Sequence, residues 1–235
     1  MLPSTYDGQH CSIARSLELL GERWTLLVIR EVFLGTRRFE GFTERLDIAR
    51  NVLTSRLTRL VEDLHTLSLS DQGALSYHRE PVDLAEVLRD TVSAQRREAE
   101  ARGLAVSLEL EDDTFVLADE TRLAQVFANL MQNSLRYTDA PGRIAIAVRR
   151  EGDRAVVEWH DSAPGVAADE MPRLTERLYR VEASRSRATG GSGLGLAIAR
   201  AIVEGHDGTM TATASPLGGL GIRLVFPRWS GVARA

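Results

Sequence analysis

The sequence predicts an α+β protein: an all-α N-terminal segment, then an α/β sandwich with helices on one face of a mixed sheet. Three observations predict it. From Cys11 to about Leu69, helical periods succeed one another with little strand signal. Beyond them, short alternating runs are interleaved with three helical stretches, the signature of helices layered on a sheet. The 235 residues, 43% of them apolar, suffice for one or two domains with true cores.

In chain order, Ser12–Leu20, Thr25–Leu34 and Arg38–Arg45 read as short helices. A fourth starts at Arg50, where Val52, Leu53, Leu57, Leu60, Val61 and Leu64 recur at helical spacing and leave Arg50, Arg56 and Arg59 on the more polar side. This succession permits a helix-turn-helix and equally suits a solvated helix face. Pro81-Val-Asp83 marks a fresh start, with Asp83 as N-cap of a helix that runs to about Arg102 and stops at Gly103. Two β-like runs, Ala105–Leu110 and Thr114–Leu117, precede a long helix over Glu120–Tyr137, whose Leu123, Val126, Phe127, Leu130 and Met131 form one apolar stripe. Arg143–Arg149 and Arg154–Trp159 alternate like a hairpin closed through Glu151-Gly152-Asp153. After a glycine-rich loop and its helix, Thr209–Ala214 and Gly221–Phe226 supply another strand pair.

A net charge of −4 gives no overall electrostatic footprint for nucleic acid, although a basic face fits within a neutral average. All 29 basic residues are arginine, so any basic contact to phosphate comes from a guanidinium or a backbone amide. The single cysteine, Cys11, excludes an internal disulfide and suits a reducing cytoplasm. The apolar stretch from Leu17 to Leu34 is broken by Glu18, Glu22, Arg23, Arg30 and Glu31, so no membrane span or leader is expected and the localisation read is cytoplasmic.

Three clusters carry chemistry. Gly190, Gly191, Gly193 and Gly195 crowd the head of an apolar helix, where bare amides and the helix dipole attract an anion such as phosphate. The spacing matches neither a dinucleotide fingerprint nor a P-loop, and by itself also suits a flexible loop. Asn129, Asn133 and Arg136, at i, i+4 and i+7, line one ridge of the long helix away from its apolar stripe. Two carboxamides and a guanidinium suit a hydrated Mg²⁺ with phosphates, or a plain polar surface. Asp161-Ser-Ala-Pro-Gly165 sets a carboxylate at the end of a strand, able to accept from an exocyclic amine such as adenine N6, or merely to form a turn.

The stretch "CSIARSLELLGERWTLLVIREVFLGTRRFEGFTERL" followed by "NVLTSRLTRLVE" resembles the opening of HxlR-type winged helix-turn-helix regulators. The likeness covers about residues 10–62 and implies DNA binding, with Asn51 at the start of the recognition helix and Arg56 and Arg59 as phosphate or base contacts. The β-wing that should follow is absent.

"NLMQNSLRYT", "DSAPGV", "LTERLYR" and "GGSGLGLAI" resemble, in order, the asparagine box, first glycine box, phenylalanine-box region and second glycine box of the GHKL (Bergerat) ATP-binding domain of sensor histidine kinases, BaeS-like envelope-stress kinases in particular. The resemblance runs from about Leu60 to Pro227. It implies ATP and Mg²⁺ as cofactors, with Asn133 on the metal, Asn129 beside it, and Arg136 and Tyr137 flanking the nucleotide. Asp161 would read the adenine amine and Gly165 would open the base pocket. Gly191, Gly193, Leu194 and Gly195 would cradle the phosphates under a lid over about Glu182–Ser192, with Arg180, Arg185 and Arg187 near the γ-phosphate. Ala163 stands where the first glycine box usually has glycine, and Thr175 and Leu178 where the third box usually has phenylalanines.

The chain contains no H-E-x-x-T/x-P phosphoacceptor motif, and neither His65 nor His10, His78, His160 and His206 has its context. The expected organisation is residues 1–62 as a wingless HxlR-like helix-turn-helix, 63–80 as a linker or remnant of a second dimerisation helix, and 81–229 as the ATP-binding catalytic domain. The resemblance implies a two-component histidine-kinase module that binds Mg-ATP for phosphoryl transfer to a histidine not its own. A response regulator or histidine-bearing chain is the implied partner, and a homodimer and DNA are implied by the parent families. The alternative is an HxlR-type transcriptional regulator with a nucleotide-sensing C-terminal domain.

Overall fold

The computed structural model describes residues 23–71, 75–162, 164–177, 179, 181 and 193–231. Helices α1 (Arg23–Phe33), α2 (Phe39–Leu46) and α3 (Arg50–Asp71) open the described chain. Leu27, Val28, Phe42, Leu46, Ile48 and Leu53 bury a small core among them. Glu31 is buried beside it, accepting from Arg30 (2.9 Å), Thr36 (3.1 Å) and Arg45 (3.4 Å). Burial pushes the Glu31 carboxyl up, but these donors outweigh it and hold the group below its ordinary value. The helix expected over Ser12–Leu20 lies outside the described residues.

Helix α3 runs unbroken for 22 residues, so the fourth predicted helix and its continuation past His65 are one element. Leu53 faces the small core, whereas Leu67 joins the large one described below. Val61 departs from the expected apolar stripe and is 63% exposed. At ~100° per residue it stands roughly 80° round the helix from Leu53, off the face that both cores share. The first strand after α3, β1 (Glu80–Asp83), pairs with β3 (Phe115–Ala118) and with no hairpin partner of its own, so no wing follows α3 among the described residues.

Sequence reading missed β1; it and β3, the run read as Thr114–Leu117, form an antiparallel ribbon separate from the principal sheet. Pro81, which has no N–H to donate, suits such a two-stranded edge. Helix α4 (Leu84–Ala101) follows, capped as expected by Asp83, whose side chain accepts from the Ala85 amide at 3.0 Å. Next come β2 (Leu104–Leu110), α5 (Glu120–Tyr137), β4 (Gly142–Glu151), β5 (Arg154–Ser162), a short 3-10 turn (Met171–Thr175), α6 (Gly195–Gly205), β6 (Thr209–Ala214) and β7 (Gly218–Pro227).

The main sheet has the order β2-β4-β5-β7-β6, with β2 parallel to β4 and the remaining pairs antiparallel. Leu88 and Val92 of α4, the predicted stripe of α5, and Ile198 and Ile202 of α6 bury against Ile144, Ile146, Val157, Trp159, Leu224 and Phe226 of the sheet. Each such side chain contributes on the order of 1.5–3 kcal/mol of transfer free energy. On the other face, Arg223 bridges Glu158 (3.0 Å) and Glu151 (2.6 Å), and Arg149 reaches Glu109 at 3.5 Å. Solvated pairs of this kind add little stability.

Where α6 ends, His206 is buried, with Nδ1 2.7 Å from the Ile202 carbonyl and Nε2 accepting from the Asp119 amide at 3.0 Å. The segment before β1 straps this corner: the Tyr77 ring lies 4.3 Å from the imidazole, and Arg79 binds Asp207 and the Gly205 carbonyl. Burial lowers the His206 pKa below its ordinary value. A group so depressed adds stability that is complete above its unfolded value and fades as pH falls through it. Relative to a variant lacking the imidazole, the wild-type thermal midpoint should therefore decline as pH falls through the ordinary histidine range. In His206→Gln, circular-dichroism melts should show a lower midpoint at pH 8 and a flatter acid slope.

Candidate functional site

The site is built where α5, β5 and β7 meet the start of α6. Capped by Asp119, whose side chain accepts from the Arg122 amide at 3.1 Å, α5 turns its apolar stripe to the sheet and a half-buried polar ridge, Asn129, Asn133 and Arg136, away from it. Asn129 donates to the Gly195 carbonyl at 3.2 Å, which brings the asparagine ridge against the first residue of α6. Among the described residues no side chain caps α6, and Gly193, two residues before it, has φ +72°, a conformation that an L side chain rarely adopts. A Cβ at Gly195 would meet only Asn129, at ordinary contact distance, so Gly193 is the position that requires glycine for its backbone.

Asp161 stands within β5 and not at its terminus as the sequence suggested, because pairing with β7 carries the strand on to Ser162. Its side chain is 5% exposed. Oδ2 accepts from the Ser134 hydroxyl (3.0 Å) and Oδ1 from the Leu220 amide (2.7 Å). Burial raises its pKa from 3.8 to about 6, partly offset by those two hydrogen bonds. Gly165 lies against β7: a Cβ there would come within 3.0 Å of the Gly218 carbonyl oxygen.

Several residues that sequence reasoning passed over complete the site. A Cβ on Gly219 would collide with Asp161 Oδ1 and lie 2.5 Å from the Ser162 carbonyl oxygen. Only glycine lets β7 wrap the carboxylate and deliver the Leu220 amide. Ser134 takes a hydrogen bond from Trp159 Nε1 at 3.0 Å while donating to Asp161. The one available signal was a serine placed among the apolar positions of α5, opposite a strand ending Trp-His-Asp.

Thr175, where phenylalanine was expected, accepts from Arg200 of α6 at 3.1 Å, and Leu174 packs on the main core. Arg136 and Tyr137 sit half-buried in the last turn of α5. Asn51 is exposed in the first turn of α3. Arg56 and Arg59 lie on that helix, but their side chains fall outside the described residues, as do Ala163, Leu178, Arg180, Arg185, Arg187, Gly191 and the rest of the expected lid. Of the histidines weighed as acceptors, His65 is exposed on α3, and both ring nitrogens of His206 are engaged in the core.

Residues 118–230 match the family of histidine kinase-, DNA gyrase B- and HSP90-like ATPases, and residues 19–67 match the HxlR-like helix-turn-helix. The chain carries a GHKL histidine-kinase catalytic domain behind an HxlR-type helix-turn-helix segment. It is 48% identical over 171 residues to the signal transduction histidine-protein kinase BaeS of Escherichia coli K12, a match covering 73% of this chain and 37% of that kinase. The chain thus spans well under half the length of such curated relatives. Two solved structures share the fold: full-length ShkA in complex with AMPPNP (TM-score 0.65, 22% identity, 94% of this chain and 44% of that one) and the histidine kinase ThkA in complex with the response regulator TrrA (0.63, 21%, 93% and 64%). Among the described residues, no helix is long and apolar enough to cross a membrane.

The catalytic domain carries a folding penalty at Asp161. A carboxyl whose folded pKa lies above its unfolded one favours folding only while protonated, so its penalty grows as pH rises from 3.8 through about 6 and is constant above. Asp161→Asn should stabilise the ligand-free protein at pH 8 by an amount on the order of 2 kcal/mol, read as a higher melting temperature, with the gain vanishing near pH 4. Gly219→Ala should destabilise it at both pH values by about 2 kcal/mol or more through overpacking. Calorimetric melts at the two pH values check both.

Proposed function

We propose that the domain, read as residues 81–229, binds Mg-ATP and presents its γ-phosphate for transfer to a histidine of another chain. The observation that carries this reading is the buried Asp161: among the described residues it is held only by two hydrogen-bond donors and paired with no cation. A carboxylate kept there at a cost to folding is best explained by a ligand that supplies the missing donor, and the exocyclic amine of adenine does so.

Distal to the base, the start of α6, whose N-cap Leu194 offers no side-chain cap, and the positive-φ Gly193 suit phosphate oxygens, with Leu194 and Gly195 supplying main chain and Gly191 and Arg180 assigned by family likeness. The carboxamide oxygens of Asn133 and Asn129 are hard donors that fit Mg²⁺ held jointly with phosphates. Arg136 and Tyr137 are assigned to the flank of the nucleotide, and Gly165 to the rim of the base pocket. Bound ATP supplies the phosphoryl group; the chain's own residues position it and balance its charge. No H-box motif occurs in the sequence, and the acceptor is read as a histidine outside this domain. A response regulator downstream is supported by the fold shared with ThkA, solved together with TrrA.

A second reading, DNA binding by residues 1–62 joined through 63–80 to the catalytic domain, is supported by the HxlR-like match and by α3 beginning with an exposed Asn51. Arg56 and Arg59 would face phosphates or base edges there.

Isothermal calorimetry should detect ATP binding that requires Mg²⁺ and is lost in Asn133→Ala; equal binding by the variant removes the metal role from Asn133. Incubation with γ-labelled ATP should leave no acid-labile phosphate on the isolated chain. For the second reading, gel shifts should weaken steeply with salt and weaken again in the double variant Arg56→Ala, Arg59→Ala; no shift at low salt removes it.

A further inference from the structure

The contacts on Asp161 have a direction. Trp159 Nε1 carries a hydrogen and no lone pair, so at 3.0 Å it can only donate to Ser134 Oγ. The hydroxyl must accept there, and its own single hydrogen lies toward Asp161 Oδ2, 3.0 Å away. The Leu220 amide likewise can only donate, to Oδ1. Serine, tryptophan and aspartate are 1%, 2% and 5% exposed, so water has little access to reverse the chain of donors. Each oxygen of the carboxyl thus meets a donor fixed by packing, and the lone pairs that remain can be satisfied only by further donors.

We propose that Ser134, oriented by Trp159, is a positioning residue that fixes Asp161 as an obligate acceptor and thereby sets selectivity for a 6-amino purine over a 6-keto purine. This deepens the nucleotide-binding reading and rests on it. An amine on C6 completes the acceptor set, whereas a keto oxygen brings a lone pair against lone pairs, a mismatch that polar sites reject strongly. Neither Ser134 nor Trp159 needs to touch the base. Without the serine hydroxyl, Oδ2 loses its committed donor; the carboxyl can then turn, or hold a proton and donate to a keto oxygen. Without the indole N–H, the hydroxyl is released to rotate, a milder loss of the same control.

The test compares Mg-ATP and Mg-ITP by calorimetry on the full chain, in wild type, Ser134→Ala and Trp159→Phe. The expected result is a wild-type preference for ATP that shrinks about tenfold in Ser134→Ala, the scale of one hydrogen bond to a charged group, and by a smaller factor in Trp159→Phe. A merely structural role would weaken both nucleotides equally, so an unchanged ratio in both variants overturns the proposal while leaving nucleotide binding intact. Wild type that takes up neither nucleotide overturns the binding reading and this proposal with it. Trp159→Phe keeps an aromatic ring while removing the indole N–H and carries the same test alone if Ser134→Ala does not fold.

Discussion

A carboxylate held almost out of reach of water is the constraint around which the catalytic domain is arranged. An ionised group in that position needs hydrogen-bond donors from more than one direction, and Asp161 receives one from the helix layer, through Ser134, and one from the sheet, through Leu220. The two donors can converge only because β7 passes over the carboxyl without a side chain at Gly219. The site is therefore not a loop placed on a finished scaffold. It is a seam between layers, and the packing of α5 on β5 that buries Phe127 and Trp159 also aims the serine.

The opposite side of the site obeys a different rule. Near Gly195, contact is made by main chain and a carboxamide, with no charged side chain in the hydrogen bond that joins α5 to α6. A polyanion placed there would gain from aligned amide dipoles. The sequence contains no lysine, so any basic side chain near that helix start is an arginine.

What was legible in the sequence was what repeats locally. The five apolar residues of α5 recur at helical spacing, and the helix spans Glu120–Tyr137 as read from that stripe. The Asp83 cap and the strand Thr209–Ala214 were legible for the same reason. Asp161 was recognised as a candidate, but its setting was not: Ser134 and Leu220 lie 27 and 59 residues from it, and no period in the chain links them. β1 escaped because its four residues, one of them proline, make no alternating pattern and acquire strand geometry only from pairing with β3. Val61 misled because spacing alone places it on the rim of an apolar stripe whose buried face, shared by Leu53 and Leu67, lies roughly 80° away.

Helix α3 spans about 33 Å at the usual rise of 1.5 Å per residue, with one end in each hydrophobic cluster and no break recorded along it. A beam anchored at both ends transmits rotation. A shift of the cluster around Leu67, against which α6 packs, would be carried along α3 toward the turn that bears Asn51, past the exposed Val61.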